Sequence, residues 1–302
     1  MSSSLTTSLS LDDALTALAN GARPVAGGTD LVVGARQGKK PLPEALVGIH
    51  RLRELRTIGA SIEGGAGISL GALTTHSDIV GHSGITERYT ALSDASSIVG
   101  SRSTRLWGTI GGNVMTASPA MDTGAPLLVL DATVVLQSVN GTRRVKLNEF
   151  FLGPGRTVAE ANELLIAIEL PEPAGTVGSC YVRLEYRQQM EIAVVGAAAF
   201  VEFDGDRITS ARVAITALAP TIRRIDAAEA ALVGTLGNRA AADAAAKVAA
   251  DAAAPISDVR ASSGYRKAMA LVITRRAIEG AVARAKGQNI PVPATSSLQG
   301  TR

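Results

Sequence analysis

The chain has 302 residues, 46% of them hydrophobic and 19% charged, and its 30 basic against 27 acidic side chains leave a formal net charge of +3. That length suggests two domains of ordinary globular composition; aromatics at 3% and the lack of any run of five or six basic residues argue against nucleic-acid binding. One cysteine, Cys180, and the histidines His50, His76 and His82, with no His-x-x-x-His pair, exclude an iron–sulfur cluster or disulfide within this chain and argue against a zinc site.

Met1 to Ser10 is rich in Ser and Thr and lacks the basic start of a secretory signal. The longest apolar stretch, Ile192 to Val201, is too short to cross a bilayer, so a cytoplasmic location is expected. Leu9, Leu11, Ala14, Leu15 and Leu18 share one helical face, with Ser10 or Asp12 as cap and Asn20-Gly21 as stop. A short strand Pro24-Val25-Ala26, a Gly27–Asp30 turn and the run Leu31-Val32-Val33 follow. Leu46 to Ile49 reads as a strand, Leu52, Leu55 and Ile58 as a short amphipathic piece, and Ile68 to Ala72 as a strand before a helix capped at Thr74-Thr75.

Residues 91–100 read as a helix and Gly108 to Asp122 as a loop of small residues. Asn140-Gly141 marks a turn before the return strand Val145 to Leu147, and Leu164 to Leu170 is a strand closed by Pro171-Glu172-Pro173, taken as the domain boundary. Beyond it come strands at Tyr181–Tyr186, Ile192–Phe203 and Ile208–Ile215, the last two joined by an Asp204-Gly205-Asp206 hairpin turn. Helices follow at Ile225–Leu232, the alanine-rich Arg239–Ala253 and Tyr265–Lys286, the last with arginines opposite its apolar side. The divisions are therefore 1–173 (with parts about 1–55 and 56–173), a C-terminal α+β domain 174–286, and a tail 287–302.

Two glycine pairs, Gly27-Gly28 and Gly111-Gly112, each follow an apolar residue and precede a polar one. Glycines let consecutive backbone amides converge on phosphate oxygens, and Thr29, Thr109 and Asn113 add donors. Either pair alone reads first as a simple tight turn; it is the pairing of two similar loops that suits one pyrophosphate. Gly65-Ala66-Gly67 with Gly71 has the wrong spacing for a Rossmann fingerprint, and no Walker A motif occurs.

The ordered set Pro24–Leu31, Ile68–His76, Gly108–Asn113, Ser118–Asp122, Glu163–Pro171, Tyr181–Leu184 with Arg187, Ala217–Thr221 with Arg224, and Ser263–Lys267 with Arg275–Ala277 resembles the FAD-binding medium subunit of molybdenum hydroxylases, the group of carbon monoxide, xanthine and nicotine dehydrogenases. The resemblance implies an α+β fold of the vanillyl-alcohol-oxidase or p-cresol-methylhydroxylase type, followed by a domain of the carbon monoxide dehydrogenase flavoprotein kind. By position it implies a first pyrophosphate loop of Arg23, Pro24, Val25, Ala26, Gly27, Gly28, Thr29 and Asp30. The second is Thr109, Ile110, Gly111, Gly112 and Asn113, with Ser118 and Asp122 as further FAD contacts, Leu165 as the apolar residue lining the flavin, and Arg183 where some relatives carry lysine.

The chain departs from the family in Ser103-Thr104-Arg105-Leu106-Trp107, where only Arg105 of the usual Gln-Ile-Arg-Asn approach survives, and in an N-terminal edge of Ser and Thr that is expected to fray. Read by themselves, Asp122 would cap a helix at Thr123, Trp107 and His76 would pack, Cys180 would be inert, and the arginines of the last helix would form a solvated face or a partner surface. The implied function is electron exit: non-covalent FAD receives electrons from [2Fe-2S] clusters of a small subunit, fed by a molybdenum cofactor on a large one, in a dimer of heterotrimers. No catalytic acid, base or nucleophile is expected here. The alternative is a stand-alone FAD-dependent reductase or oxidase of the same fold, against which the C-terminal motifs argue; a structural subunit without FAD would not need intact glycine loops. The substrate at molybdenum and the terminal acceptor stay open.

Overall fold

The computed structural model describes residues 3–38, 41–60, 67–187 and 189–294; Met1, Ser2, Gly65, Ala66 and the tail residues 295–302, which figure in the readings above, lie outside the described residues. The chain opens with β1 (Ser4–Thr7), α1 (Leu11–Ala19), β2 (Arg23–Val25), α2 (Leu31–Arg36) and β3 (Ala45–Gly48). β3 is the centre of a parallel three-stranded sheet in the order β1-β3-β2. The N-terminal edge does not fray: all of β1 pairs with β3, Ser4 opposite Ala45 through Thr7 opposite Gly48. Backbone pairing supplies what its exposed Ser and Thr side chains do not. α1, capped by Ser10 accepting from the Asp13 amide at 3.1 Å, lays Ala14, Leu15 and Leu18 on Val47, Ile49, Leu52 and Leu55.

The next part contains β4 (Ile58–Ala60), β5 (Gly67–Gly71), α3 (His76–Gly81), α4 (Ser83–Arg88), α5 (Thr90–Ile98), α6 (Arg102–Trp107), α7 (Ile110–Thr116), α8 (Gly124–Val129), β6 (Thr133–Ser138), β7 (Gly141–Lys146), β8 (Phe151–Gly153), β9 (Arg156–Thr157) and β10 (Leu164–Pro171). Its antiparallel sheet runs β4-β5-β10-β6-β7. Leu70, Val134, Leu136, Ile168 and Leu170 meet Ile79, Leu92, Ile110, Val114 and Leu128 from the helices in one core. Thr75 caps α3 by a reciprocal box, its hydroxyl accepting from the Asp78 amide at 3.1 Å while its amide donates to Asp78 at 2.9 Å.

The last part is a meander of β11 (Thr176–Leu184), β12 (Val195–Asp204), β13 (Arg207–Thr216) and β14 (Arg223–Arg224), then α9 (Asp226–Ala230), α10 (Arg239–Asp251) and α11 (Ser263–Ala285). Both faces of the meander are buried. Cys180, Val182, Ala197, Ala199, Val213 and Ile215 face the helices with Ile273, Ala277, Ile278 and Ala281. Tyr181, Ala198, Phe200 and Ala214 join the core of the preceding sheet, so the period-two alternation of β11 divides its side chains between two cores.

The arginines of α11 are not a solvated face. Arg266, 3% exposed, donates to the Val194 carbonyl and to Asp258 at 2.8 and 2.7 Å; Arg275 reaches Asp243; Arg284 is held by Asp94. Each of these three reaches a carboxylate elsewhere in the chain, and the helix packs on sheet and helix rather than standing free.

Candidate cofactor site

β2 delivers the first glycine pair. Val25 accepts from the Ile49 amide at 2.9 Å, and the chain then leaves the sheet through Ala26-Gly27-Gly28-Thr29-Asp30 before α2 begins. The carbonyls of Gly28 and Asp30 accept from Val32 and Gly34 at 3.0 and 2.8 Å, while the amides of residues 26–30 donate to no acceptor among the described residues. Gly28 stands at φ +67°, the left-handed conformation that turns successive amides to one side. Five consecutive amides left unbonded in a largely half-buried loop are donors available to phosphate oxygens. Gly27 serves another end: a Cβ there would lie 1.8 Å from the Trp107 carbonyl oxygen, so the loop is pressed against the joint between α6 and α7.

The second glycine pair is built differently, and the expected loop over 108–122 is corrected here: Ile110–Thr116 is helical. Ile110 and Val114, four residues apart, both enter the core, and Thr109 caps the helix by accepting from the Gly112 amide at 3.1 Å. Its other first amides are also taken, Ile110 by Thr74 at 2.9 Å and Gly111 by Ala72 at 3.0 Å. Among the described residues this segment offers no second nest of free amides. Gly111 is needed for packing, since a Cβ would lie 2.7 Å from both the Cβ and the carbonyl oxygen of Ala72. Gly112 is exposed, and only the Thr109 hydroxyl lies near a Cβ built there, at 3.0 Å. What this segment can offer an anion is side-chain donors: the Thr109 hydroxyl keeps its own proton, and Asn113 keeps its NH2 because its Oδ1 accepts from Thr123 at 2.6 Å.

His76 lies where the two segments meet. Its amide donates to the Gly108 carbonyl at 3.1 Å, and a Cβ on Gly108 would lie 3.4 Å from its ring and 3.6 Å from the Thr29 hydroxyl. Burial, and secondarily Arg105, push the imidazole pKa down to about 4, so it is neutral at physiological pH and packs at its helix start, as the sequence suggests.

Asp122 does not cap a helix. Its carboxylate accepts from the Tyr181 hydroxyl and from Arg183 Nη1, both at 2.8 Å, and Arg183 also contacts Glu185 and the Glu191 carbonyl. Burial pushes the Asp122 carboxyl up to about 6 against the opposing pull of Arg183 and Tyr181. The Tyr181 phenol, pushed far above its ordinary value chiefly by burial, stays protonated and donates. The cluster joins the N-terminal part to β11, and the bond from the Ala217 amide to the Pro119 carbonyl at 2.8 Å joins it to the end of β13.

Arg23, Asp30 and Gly112 are exposed, and Pro24 through Thr29, Asn113 and Ser118 are half-buried. Ser118 folds its own turn by accepting from Ala120 at 3.3 Å. Ile110 and Leu165 belong to the core at 0% and 3% exposure, so their side chains pack against protein; Ile166 and Ala26 of the first loop both pack on the separate core under α1. Trp107, expected to pack, is 65% exposed. It ends a short helix whose other residues turn no apolar face inward, since none of α6 is buried. Tyr181 and His76 were not among the expected site residues. Tyr181 was readable as the residue two before Arg183 on one face of a strand.

Residues 2–173 match the family model described as the FAD binding domain in molybdopterin dehydrogenase, and residues 181–281 the CO dehydrogenase flavoprotein C-terminal domain. The chain belongs to the FAD-binding medium-subunit family of molybdenum hydroxylases. It is 33% identical over 242 residues to the carbon monoxide dehydrogenase medium chain of Hydrogenophaga pseudoflava, covering 80% of this chain and 83% of that one. It is 32% identical over 282 residues to the xanthine dehydrogenase FAD-binding subunit of Escherichia coli O157:H7, covering 92% and 95%. A chain of the reconstituted CO dehydrogenase from Oligotropha carboxidovorans superposes with a TM-score of 0.89 at 31% identity, over 94% of this chain and 99% of that chain. The fold is therefore the one the resemblance implied, and this medium-subunit family member carries the FAD-binding domain of an oxidoreductase subunit. The free amides of residues 26–30 and the donors Thr109 and Asn113 fit a pyrophosphate. Among the described residues no group of His, Cys, Asp and Glu could hold a metal ion, and no helix is long and apolar enough to cross a membrane.

Proposed function

We propose that this chain binds FAD non-covalently and is the electron-exit subunit of a molybdenum hydroxylase, working with a molybdenum-cofactor subunit and a [2Fe-2S] subunit. The observation that carries the reading is the loop Ala26–Asp30, whose amides are unbonded and which packs on the Trp107–Gly108 joint leading into Thr109 and Asn113, on a chain whose single cysteine cannot ligate a cluster. FAD supplies the redox chemistry when bound, and the chain supplies position and electrostatics. Residues 26–30 take phosphate charge, Thr109 and Asn113 complete the donor set, and the Tyr181–Asp122–Arg183 cluster locks the two domains behind it. Neither glycine loop contains His, Cys or Tyr, which supports a non-covalent attachment.

The test compares two glycines of one segment. Gly27→Ala puts a Cβ 1.8 Å from a backbone oxygen, whereas Gly34→Ala meets nothing within 4 Å. The purified wild-type chain and Gly34→Ala should carry stoichiometric yellow flavin. Gly27→Ala must displace the loop by about 1 Å or more to clear that oxygen, which spoils the donor geometry its amides need, so it should lose most of its flavin. Equal flavin in Gly27→Ala and Gly34→Ala would remove this loop from the binding site. Electron exit is tested by mixing with the co-purifying subunits: substrate should reduce the flavin only when both are present.

A further inference from the structure

Trp107 is the one tryptophan in the chain, and 65% of it is exposed. No aromatic ring or cation stacks on it among the described residues, where the recorded contacts are Phe150 with Phe151, Arg212 over Phe200 and Lys286 over Phe203. Leaving an indole in water forfeits the burial that such rings normally gain, and its place is not arbitrary. Its carbonyl oxygen is the atom against which Gly27 packs, so the side chain departs at the edge of the loop of free amides. The helix it ends, Arg-Ser-Thr-Arg-Leu-Trp, contains two arginines and no carboxylate. The Asp122 cluster lies at the contact with β11, and Asn113 is tied to its neighbour Thr123.

We propose that Trp107 is the platform on which the adenine ring of the dinucleotide stacks, its indole covering the AMP half while the amides of residues 26–30 take the phosphates. The proposal rests on the FAD reading above and assigns the two ends of the ligand: the base lies one ribose from the phosphate, on the Trp107 side, and the flavin points toward Asp122. Stacking needs only an accessible planar face, which the exposed indole supplies, on a helix that carries two arginines and no carboxylate.

The single indole makes the test spectroscopic. The full-length chain freed of flavin is excited at tryptophan and titrated with ADP, which does not absorb indole emission, so quenching reports contact. Saturable quenching by ADP, protection of Trp107 from acrylamide by ADP or FAD, and about tenfold weaker FAD binding in Trp107→Ala with recovery in Trp107→Phe are expected. Calorimetric binding of ADP with unchanged emission, or unaltered FAD affinity in Trp107→Ala, would overturn the stacking and leave the FAD reading standing. Failure of the wild-type chain to bind either FAD or ADP in the calorimeter would overturn both.

Discussion

Arg284 on α11 and Asp94 on α5 form an ion pair between the two domains, and replacing Arg284 by methionine should be among the most destabilising single changes in the chain. Asp94 is 0% exposed and accepts four bonds: Arg284 Nη1 at 2.6 Å, Arg284 Nη2 at 2.8 Å, and the amides of Tyr181 and Ala294 at 3.0 Å each. Arg284 in turn donates to the carbonyls of Ser179 at 2.8 Å and Pro291 at 3.2 Å. Burial holds the Asp94 carboxyl above its ordinary value even with the guanidinium in place. Arg284→Met therefore leaves a buried carboxylate with its main counter-charge gone, at a cost of about 3–5 kcal/mol. For domains of this size that is a fall in melting temperature on the order of 10 °C. Its pH dependence has a definite sign. Removing Arg284 raises the folded-state pKa of Asp94 further above the unfolded value, so the folded variant takes up a proton that the unfolded chain does not. Its deficit shrinks as pH falls, by up to about 1.4 kcal/mol per pH unit. Thermal melts of wild type, Arg284→Met and Asp94→Asn/Arg284→Met at pH 8 and pH 5 check this. The double variant, with both charges gone, should recover part of the loss. A single variant within about 1 kcal/mol of wild type at pH 8, or a deficit equal at both pH values, would refute the reasoning.

Gly111→Ala should lower stability, because its Cβ overlaps Ala72 at 2.7 Å, whereas Gly112→Asp should fold and lose flavin through charge repulsion; melts and visible spectra of both variants separate packing from binding. Asp122, at about 6 in the folded protein, contributes stability below its unfolded value of 3.8 that is lost as pH rises between the two. The stability difference between wild type and Asp122→Asn should thus shift against wild type by about 2 kcal/mol from pH 4 to pH 7, read by urea denaturation at each pH. Acid precipitation of the yellow protein should release all colour to the supernatant, and colour kept in the pellet would mean a covalent flavin.

Much of this protein was legible from local chemistry. The α1 face, the Thr75 cap, the Asp204–Asp206 hairpin and the alanine-rich α10 are each written in neighbours a few residues apart, where backbone preference and spacing decide. The ordered motifs likewise named the family, since they are short contiguous segments. Other outcomes depended on partners far away in the chain. Two glycine pairs that look alike take different roles because Ala72 and Thr74 consume the amides of one, while no described acceptor reaches those of the other. The arginines of α11 look like a surface stripe until Asp258, Asp243 and Asp94 arrive from elsewhere. Leu165 and Ile166 divide between two cores, and Asp122 spends its oxygens on Tyr181 and Arg183, some sixty residues on. Propensity and pattern act over a helical turn or a strand, so sequence alone determines elements and motifs. Which donors, charges and rings stay available to a ligand is decided only when distant segments pack and the unbonded groups are left over.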